Sequence, residues 1–224
     1  MVAARLFPPA EREAIAAAVA AAERATSGEI VPVVVSSSDG YERAEDLVGG
    51  AVALCAFAAM WTFGQGMVPG ADWDEGQQLA LSLPVLLGVL VVGWVAGVLL
   101  ARAVPPLKRL FVSHRVAKAR VLVAAHQAFE TLHVRRTAGG TGVVLYVSLF
   151  EREVCVCADR AIAAKVEPAE WTKACTLLVD GLRAGAPSAG FVAAIRHVGG
   201  VLAAHFPIQP GDRDELTNEL HVLE

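Results

Sequence analysis

Asp159 and Arg160 stand side by side directly after an apolar strand-like run, and Glu29 and Thr141 stand at the starts of two others. If the first two runs pair in parallel and the third returns antiparallel, all four residues meet at one edge of a sheet. A carboxylate, a hydroxyl and a guanidinium gathered there suit a phosphate or a metal-bridged anion. The plainer reading is that Asp159 caps the helix it precedes, since Asp is a favoured N-cap.

His126, Glu130 and His133 are spaced i, i+4 and i+7, which aligns them on one helix face and permits a metal or a proton-transfer pair. His133 falls nearest the edge with Asp159 and Arg160, so those three are the candidate catalytic groups, with Glu29 and Thr141 as candidate ligand-binding groups. Cys155 and Cys157 alternate onto the same strand face, and Cys175 can approach from a helix. Three thiols are a zinc-type ligand set, yet no Cys-x-x-Cys is present and free Cys also packs as a small hydrophobe. Ser36-Ser37-Ser38-Asp39-Gly40 ends a strand and opens a helix, a geometry that offers main-chain N–H groups to an anion or caps the helix. Asp212 and Asp214 begin like a calcium loop, but the Gly and distal Glu of that loop are missing, which leaves a solvated tail.

The elements that must position these groups follow from patterning. Pro8-Pro9 open an amphipathic helix with Ile15, Val19 and Ala22 on one face, closed by Ser27-Gly28. Glu29 to Ser36 is a β-branched run of buried-strand type in which Pro32 must turn its nitrogen away from a ladder. Val116 to His133 reads as a long helix with Val116, Ala119, Val123, Ala124 and Phe129 for burial. Gly142 to Ser148 and Glu153 to Ala158 form an antiparallel hairpin, and two helices, 168–183 and 188–206, close the domain. The fold class is α/β, a small mixed sheet with flanking helices, interrupted by an insertion. One strand and one helix cannot bury a core alone, so residues 1–46 and 105–224 must fold together.

The insertion, 47–104, is the most distinctive part of the chain. Leu47 to Ala71 and Gly76 to Ala101 carry no charged side chain, and only Asp72-Trp73-Asp74-Glu75 separates them. An α-helix needs about 20 mostly apolar residues to cross a bilayer, and both stretches reach it, with spans at about 47–68 and 79–101. Pro84 introduces a slight bend. Arg43 precedes the first span, Arg102, Lys108, Arg109, Arg115, Lys118 and Arg120 follow the second, and Val68 to Gln78 contains no Lys or Arg. The basic flanks place both termini in the cytoplasm, with Trp61 and Trp73 as interface anchors and Trp94 as a packing residue. Gly93-x3-Gly97 is a small-residue motif that permits self-association through the hairpin.

Composition sets the outer bounds. The 224 residues hold one modest domain plus the hairpin, and the 55% hydrophobic content, above the usual range of about 45–50%, is concentrated in that hairpin. A net charge of −4 gives no basic field for nucleic acid, and the basic run after the second span is explained by topology and anionic lipid. Met1 to Pro9 lacks the pattern of a secretory signal, so no cleavage is expected. Four Cys without a framework spacing read as free thiols. Two spans without intramembrane charge argue against transport.

The order of helix, Thr26-Ser27-Gly28-Glu29-Ile30-Val31, long helix, Thr141-Gly142-Val143-Val144-Leu145-Tyr146-Val147-Ser148-Leu149 and Arg152-Glu153-Val154 resembles the TPM domain family, which includes a thylakoid-lumen acid phosphatase and bacterial relatives. Ala158 to Val166, Trp171, His205-Phe206-Pro207 and Asp212 to Leu216 extend the likeness, which is greatest to the bacterial branch with an internal transmembrane hairpin. The resemblance implies a small α/β sandwich-like domain, a phosphatase activity in some members, and divalent-cation binding in some, here Ca²⁺ or Mg²⁺. Many soluble members carry Asp-Asn-Gly where this chain has Gly140-Thr141-Gly142, and a Gly-rich loop where it has Asp159-Arg160-Ala161-Ile162. The expected protein is a multi-pass component of a bacterial cytoplasmic membrane. Its domain binds a partner or helps assemble a membrane complex, or else acts as a metal-dependent phosphomonoesterase. A topology reporter fused at Trp73 is expected to read the opposite compartment from one fused after Glu224; the same side for both would refute the paired crossing.

Overall fold

The computed structural model describes residues 2–64, 83–137, 139–209 and 215–223. Trp73, the turn of the hairpin and the Asp212/Asp214 pair lie outside the described residues. The chain divides into two compact units, Met1–Asp39 with Arg115–Glu224, and Gly40–His114.

The first unit is a mixed α/β structure built on a four-stranded sheet in the order β3-β2-β1-β4. Strands β1 (Glu29–Val35) and β2 (Gly142–Ser148) pair in parallel with Glu29 opposite Gly142, and β3 (Glu153–Ala158) runs antiparallel to β2. Every residue of β1 and β2 is buried, which is why both runs are continuously apolar rather than alternating. Glu29 N–H donates to Thr141 O at 3.0 Å, and alternation therefore turns the nitrogen of Pro32 to the opposite side of β1. On that side β4 (His221–Leu223) pairs only with Val33 to Val35, so no ladder bond is lost at Pro32. A strand in the tail was not anticipated: three residues flanked by polar ones carry too little periodicity to register.

One face of the sheet carries the larger core. Ile30, Val34, Val143, Leu145 and Val147 pack beneath α1 (Val2–Leu6), α2 (Pro9–Glu23), α8 (Pro168–Arg183) and α9 (Pro187–His205). Ile15 and Val19 of α2 are fully buried, and Phe7 meets Phe191 edge-on with centroids 5.7 Å apart. The other face carries Val31, Val33, Val35, Val144, Tyr146 and Cys157 and is covered by α6 (His114–Thr131), with Val134 of the following 3₁₀ turn.

The buried stripe of α6 is Ala117, Val121, Ala125, Ala128 and Phe129. The expected stripe was rotated: Val116 is 49% exposed and Val123 53%. Small alanines let the helix lie close against valine-covered strands, with Val121 and Phe129 among them, and Val116, Leu122 and Val123 are left outside. Helix α6 also ends at Thr131, and His133 follows in the left-handed region at φ 57°. The face shared by His126, Glu130 and His133 in the sequence reading is therefore broken before its third member.

The second unit contains α3 (Glu42–Gly64), α4 (Leu83–Ala103) and α5 (Pro105–Arg109). Pro105-Pro106 open α5 at its first turn, where a missing N–H costs nothing, so α4 stops at Ala103. Glu42–Phe63 and Leu83–Ala103, 22 and 21 residues, are long and apolar enough to cross a bilayer, at about 32–33 Å against roughly 30 Å of hydrocarbon. The two helices approach at glycines. A Cβ on Gly97 would lie 2.8 Å from the Gly49 Cα, and one on Gly93 would lie 2.9 Å from the Ala53 Cα. The Gly93-x3-Gly97 motif that suggested contact between copies is thus occupied within one chain. Trp94 lies over Gly49, in the packing role expected of it. Below the glycine contacts, Glu45 accepts from Arg102 at 2.8 Å and Lys108 at 3.0 Å, tying α3 to the end of α4 and to α5.

Within the first unit, a methyl group on Gly142 would sit 2.8 Å from the Val134 carbonyl oxygen and against the Val134 side chain. Gly142→Ala is expected to lower stability by about 1–3 kcal/mol in chemical denaturation, the usual cost of overpacking. His221 of β4 has its imidazole pKa lowered from 6.5, chiefly by burial, with Glu219 opposing. The unfolded chain then takes up the proton first, so this contribution is complete above about pH 6.5 and fades as pH falls. Stability is expected to drop more steeply below that pH in the wild type than in His221→Gln.

Candidate functional site

The parallel register of β1 and β2 and the antiparallel return of β3 bring Glu29, Thr141, Asp159 and Arg160 to one end of the sheet. Asp159 N–H donates to Gly142 O at 2.9 Å, which fixes the strand end beside Thr141. Around this end lie two cavities rather than one cleft.

The first, about 420 Å³, is lined by His126 and Phe129 of α6, Arg135 of the 3₁₀ turn, Cys157 of β3, and Asp159 and Arg160. Asp159 Oδ1 accepts the Arg160 N–H at 2.7 Å and caps α7 (Arg160–Ala163), so the capping role is present. Its other oxygen, Oδ2, is buried and has no hydrogen-bond partner among the described residues. That oxygen faces Gly140, where a Cβ would stand 3.6 Å away. Gly140 has φ 59°, and a side chain there would be both strained and close to the carboxylate. Arg135 reaches Glu130 at 2.6 Å in an exposed ion pair, leaving its guanidinium at the cavity rim.

The second cavity, about 230 Å³, is lined by Ser27, Glu29, Thr137, Thr141, Gln209 and Glu215, together with Gly139. Its side-chain donors are almost all oxygen, the preference of hard divalent cations such as Ca²⁺ and Mg²⁺. Glu29 is buried, and its Oε1 accepts the Glu215 N–H at 3.2 Å. Thr141 donates its hydroxyl proton to Ser27 O at 2.7 Å, so an oxygen lone pair is what remains for a ligand. Among the described residues no three His, Cys, Asp or Glu groups stand already converged on one ion position. Glu29 and Glu215 are the two carboxylates this lining offers.

The four sheet-end candidates are therefore neighbours, divided between two cavities. His133 does not join them. It is exposed, follows the end of α6 in a left-handed conformation, and lines neither cavity. His126, two helical turns earlier, stands at the Asp159 cavity instead. Arg135 and Glu215 escaped the sequence reading because one follows a left-handed residue and the other a polar tail, and neither setting has a period to read.

The remaining candidates resolve in the same way. Ser38 N–H donates to Glu151 Oε1 at 2.9 Å and Ser37 Oγ to Asp39 O at 2.7 Å, so these donors of the Ser36–Gly40 turn are taken up by a carboxylate of the β2–β3 loop and by the turn's own carbonyl. Cys155 and Cys157 do share a face, with sulfurs 3.8 Å apart. Cys175 on α8 is engaged by the Val156 main chain, and all four Cys are free.

The chain matches no family model and no curated protein. Among solved structures it is similar to the NMR structure of the BA42 protein from the psychrophilic bacterium Bizionia argentinensis, with 18% identity and a TM-score of 0.56, over 96% of this chain and 94% of that one. Likeness at this identity concerns the fold, and the class it defines is a mixed α/β protein with a four-stranded sheet flanked by helices.

Proposed function

We propose that the chain is an integral membrane protein of the TPM type whose α/β domain lies on the cytoplasmic side and serves as a partner-binding or complex-assembly module. The observation that carries the membrane part is the outward surface of α3 and α4. Leu54 is 65% exposed, Phe63 89%, Val92 68% and Leu99 59%, while the facing sides of the helices are closed by glycine contacts. A continuous apolar surface of this kind belongs in lipid or against a partner. The resemblance of the Thr26–Val31 and Thr141–Leu149 segments to TPM domains, together with the mixed sheet, supports the TPM part. The basic flanks support the cytoplasmic placement in a bacterial inner membrane.

For the binding part, the support is the cavity rimmed by Arg135 and Arg160 beside the Asp159 carboxylate. Two guanidiniums at an open rim suit a carboxylate or phosphate carried by a partner. In quantitative crosslinking from intact membranes, a partner held there is expected to fall by about tenfold or more in Arg135→Ala/Arg160→Ala, the scale of one or two lost charge-assisted bonds. Unchanged crosslinking would exclude this cavity as the binding site.

A second reading, a metal-dependent phosphomonoesterase, is favoured by one feature, the buried Asp159 Oδ2 in a residue that lines the same cavity as Arg135 and Arg160. In that reading Arg160 and Arg135 hold the phosphate, Asp159 handles the proton or a cation, and Glu29 and Glu215 offer oxygen to Ca²⁺ or Mg²⁺. Full-length protein in detergent is assayed on an aryl phosphate with Mg²⁺, Ca²⁺ or Mn²⁺. Turnover lost in Asp159→Asn would establish the phosphatase, and turnover indifferent to that substitution would remove these residues as its source.

A further inference from the structure

The paired thiols of β3 have no part in the reading above. Cys155 and Cys157 point to the α6 side of the sheet with Sγ atoms 3.8 Å apart, and the His126 Nδ1 lies 4.0 Å from Cys157 Sγ. Cys157 and His126 both line the 420 Å³ cavity, so the cluster is reached from solvent through it. We propose that Cys155, Cys157 and His126 form a binding site for a thiophilic d¹⁰ cation of the Zn²⁺ class, with the remaining coordination position open to the cavity.

Geometry separates this from the other fates of a neighbouring thiol pair. Metal–sulfur bonds of about 2.3 Å at the tetrahedral angle place two sulfurs about 3.8 Å apart, the separation already present. A disulfide would instead need sulfurs at about 2.05 Å and Cβ atoms about 3.5–4.5 Å apart. Residues two apart on a strand have Cα atoms about 6.6 Å apart with parallel Cβ vectors, so closing that bond means distorting β3. An ion bridges the thiols with the strand as it stands.

The Cys155 and Cys157 thiols are within hydrogen-bond reach of each other, in a strand that needs no distortion to keep them there. Among the described residues no third ligand already converges on the pair, so His126 is the group that must turn. Its Nδ1 lies 2.8 Å from Leu122 O, an oxygen that also accepts the regular bond of α6. Giving up the side-chain bond therefore leaves that carbonyl satisfied, and the exposed imidazole is free to swing.

The site is tested on the reduced full chain in detergent by titration with Co²⁺ as a spectroscopic probe, then with Zn²⁺ in competition. The expected result is one Co²⁺ per chain with thiolate-to-cobalt charge-transfer bands and tetrahedral d–d bands, all displaced by Zn²⁺. Cys155→Ser, at a half-buried position, and Cys157→Ser are each expected to abolish the charge-transfer bands. His126→Ala is expected to weaken binding by at least about tenfold. Cys55→Ser and Cys175→Ser should leave the spectrum unchanged. Absence of the bands in the wild type overturns the proposal, as does a spectrum that survives both Cys155→Ser and Cys157→Ser. Far-UV circular dichroism confirms that each variant is folded, and this outcome is independent of whether the Arg135/Arg160 rim binds a partner.

Discussion

The parallel pairing of β1 with β2 is the contact on which the first unit depends. Both strands are buried on both faces, so their main-chain groups have no recourse to water and must satisfy one another. A parallel pair cannot be joined by a tight turn and needs a long crossover. Here the crossover contains the whole second unit and α6, which means that β1 has no neighbour until residues beyond 142 have been made. The core of Ile30 and Val34 with Val143, Leu145 and Val147 is correspondingly built from both ends of the chain.

The unequal covering of the sheet determines where chemistry is available. Helices α1, α2, α8 and α9 seal one face with a large core. The opposite face has α6 alone among the long helices, whose alanine stripe packs on the valines of β1 and β2 in one cluster with Cys157 of β3. Cys155 is half-buried at the margin of that cluster, and a cavity lies between α6, β3 and the turn carrying Arg135. The cavity, the thiol pair and the Arg rim all lie on this less heavily covered face.

The second unit follows a different rule. For two helices long and apolar enough to cross a bilayer, apolar side chains alone would give no preference for one another over lipid, and close contact comes from shape and from polar groups. Gly49, Gly93 and Gly97 supply the shape, and Glu45 with Arg102 and Lys108 supplies the polar anchor. The exposed Leu, Val and Phe side chains are what remains when the small residues have been used for the inner face.

Much of this was legible in the amino-acid order. The strands at 29–35, 142–148 and 153–158, the closing helices and the two long apolar helices follow from local pattern, because a continuous β-branched run and a charge-free run of spanning length each have few alternatives. The meeting of Glu29, Thr141, Asp159 and Arg160 followed from strand directions alone. Folding in three dimensions decided the rest. It rotated α6 onto its alanines, detached His133 by ending the helix two residues early, added β4, recruited Arg135 and Glu215, and turned the Gly93–Gly97 motif inward. Local patterns record which side chains avoid water, whereas these outcomes depend on which surface a side chain meets, and that partner is distant along the chain.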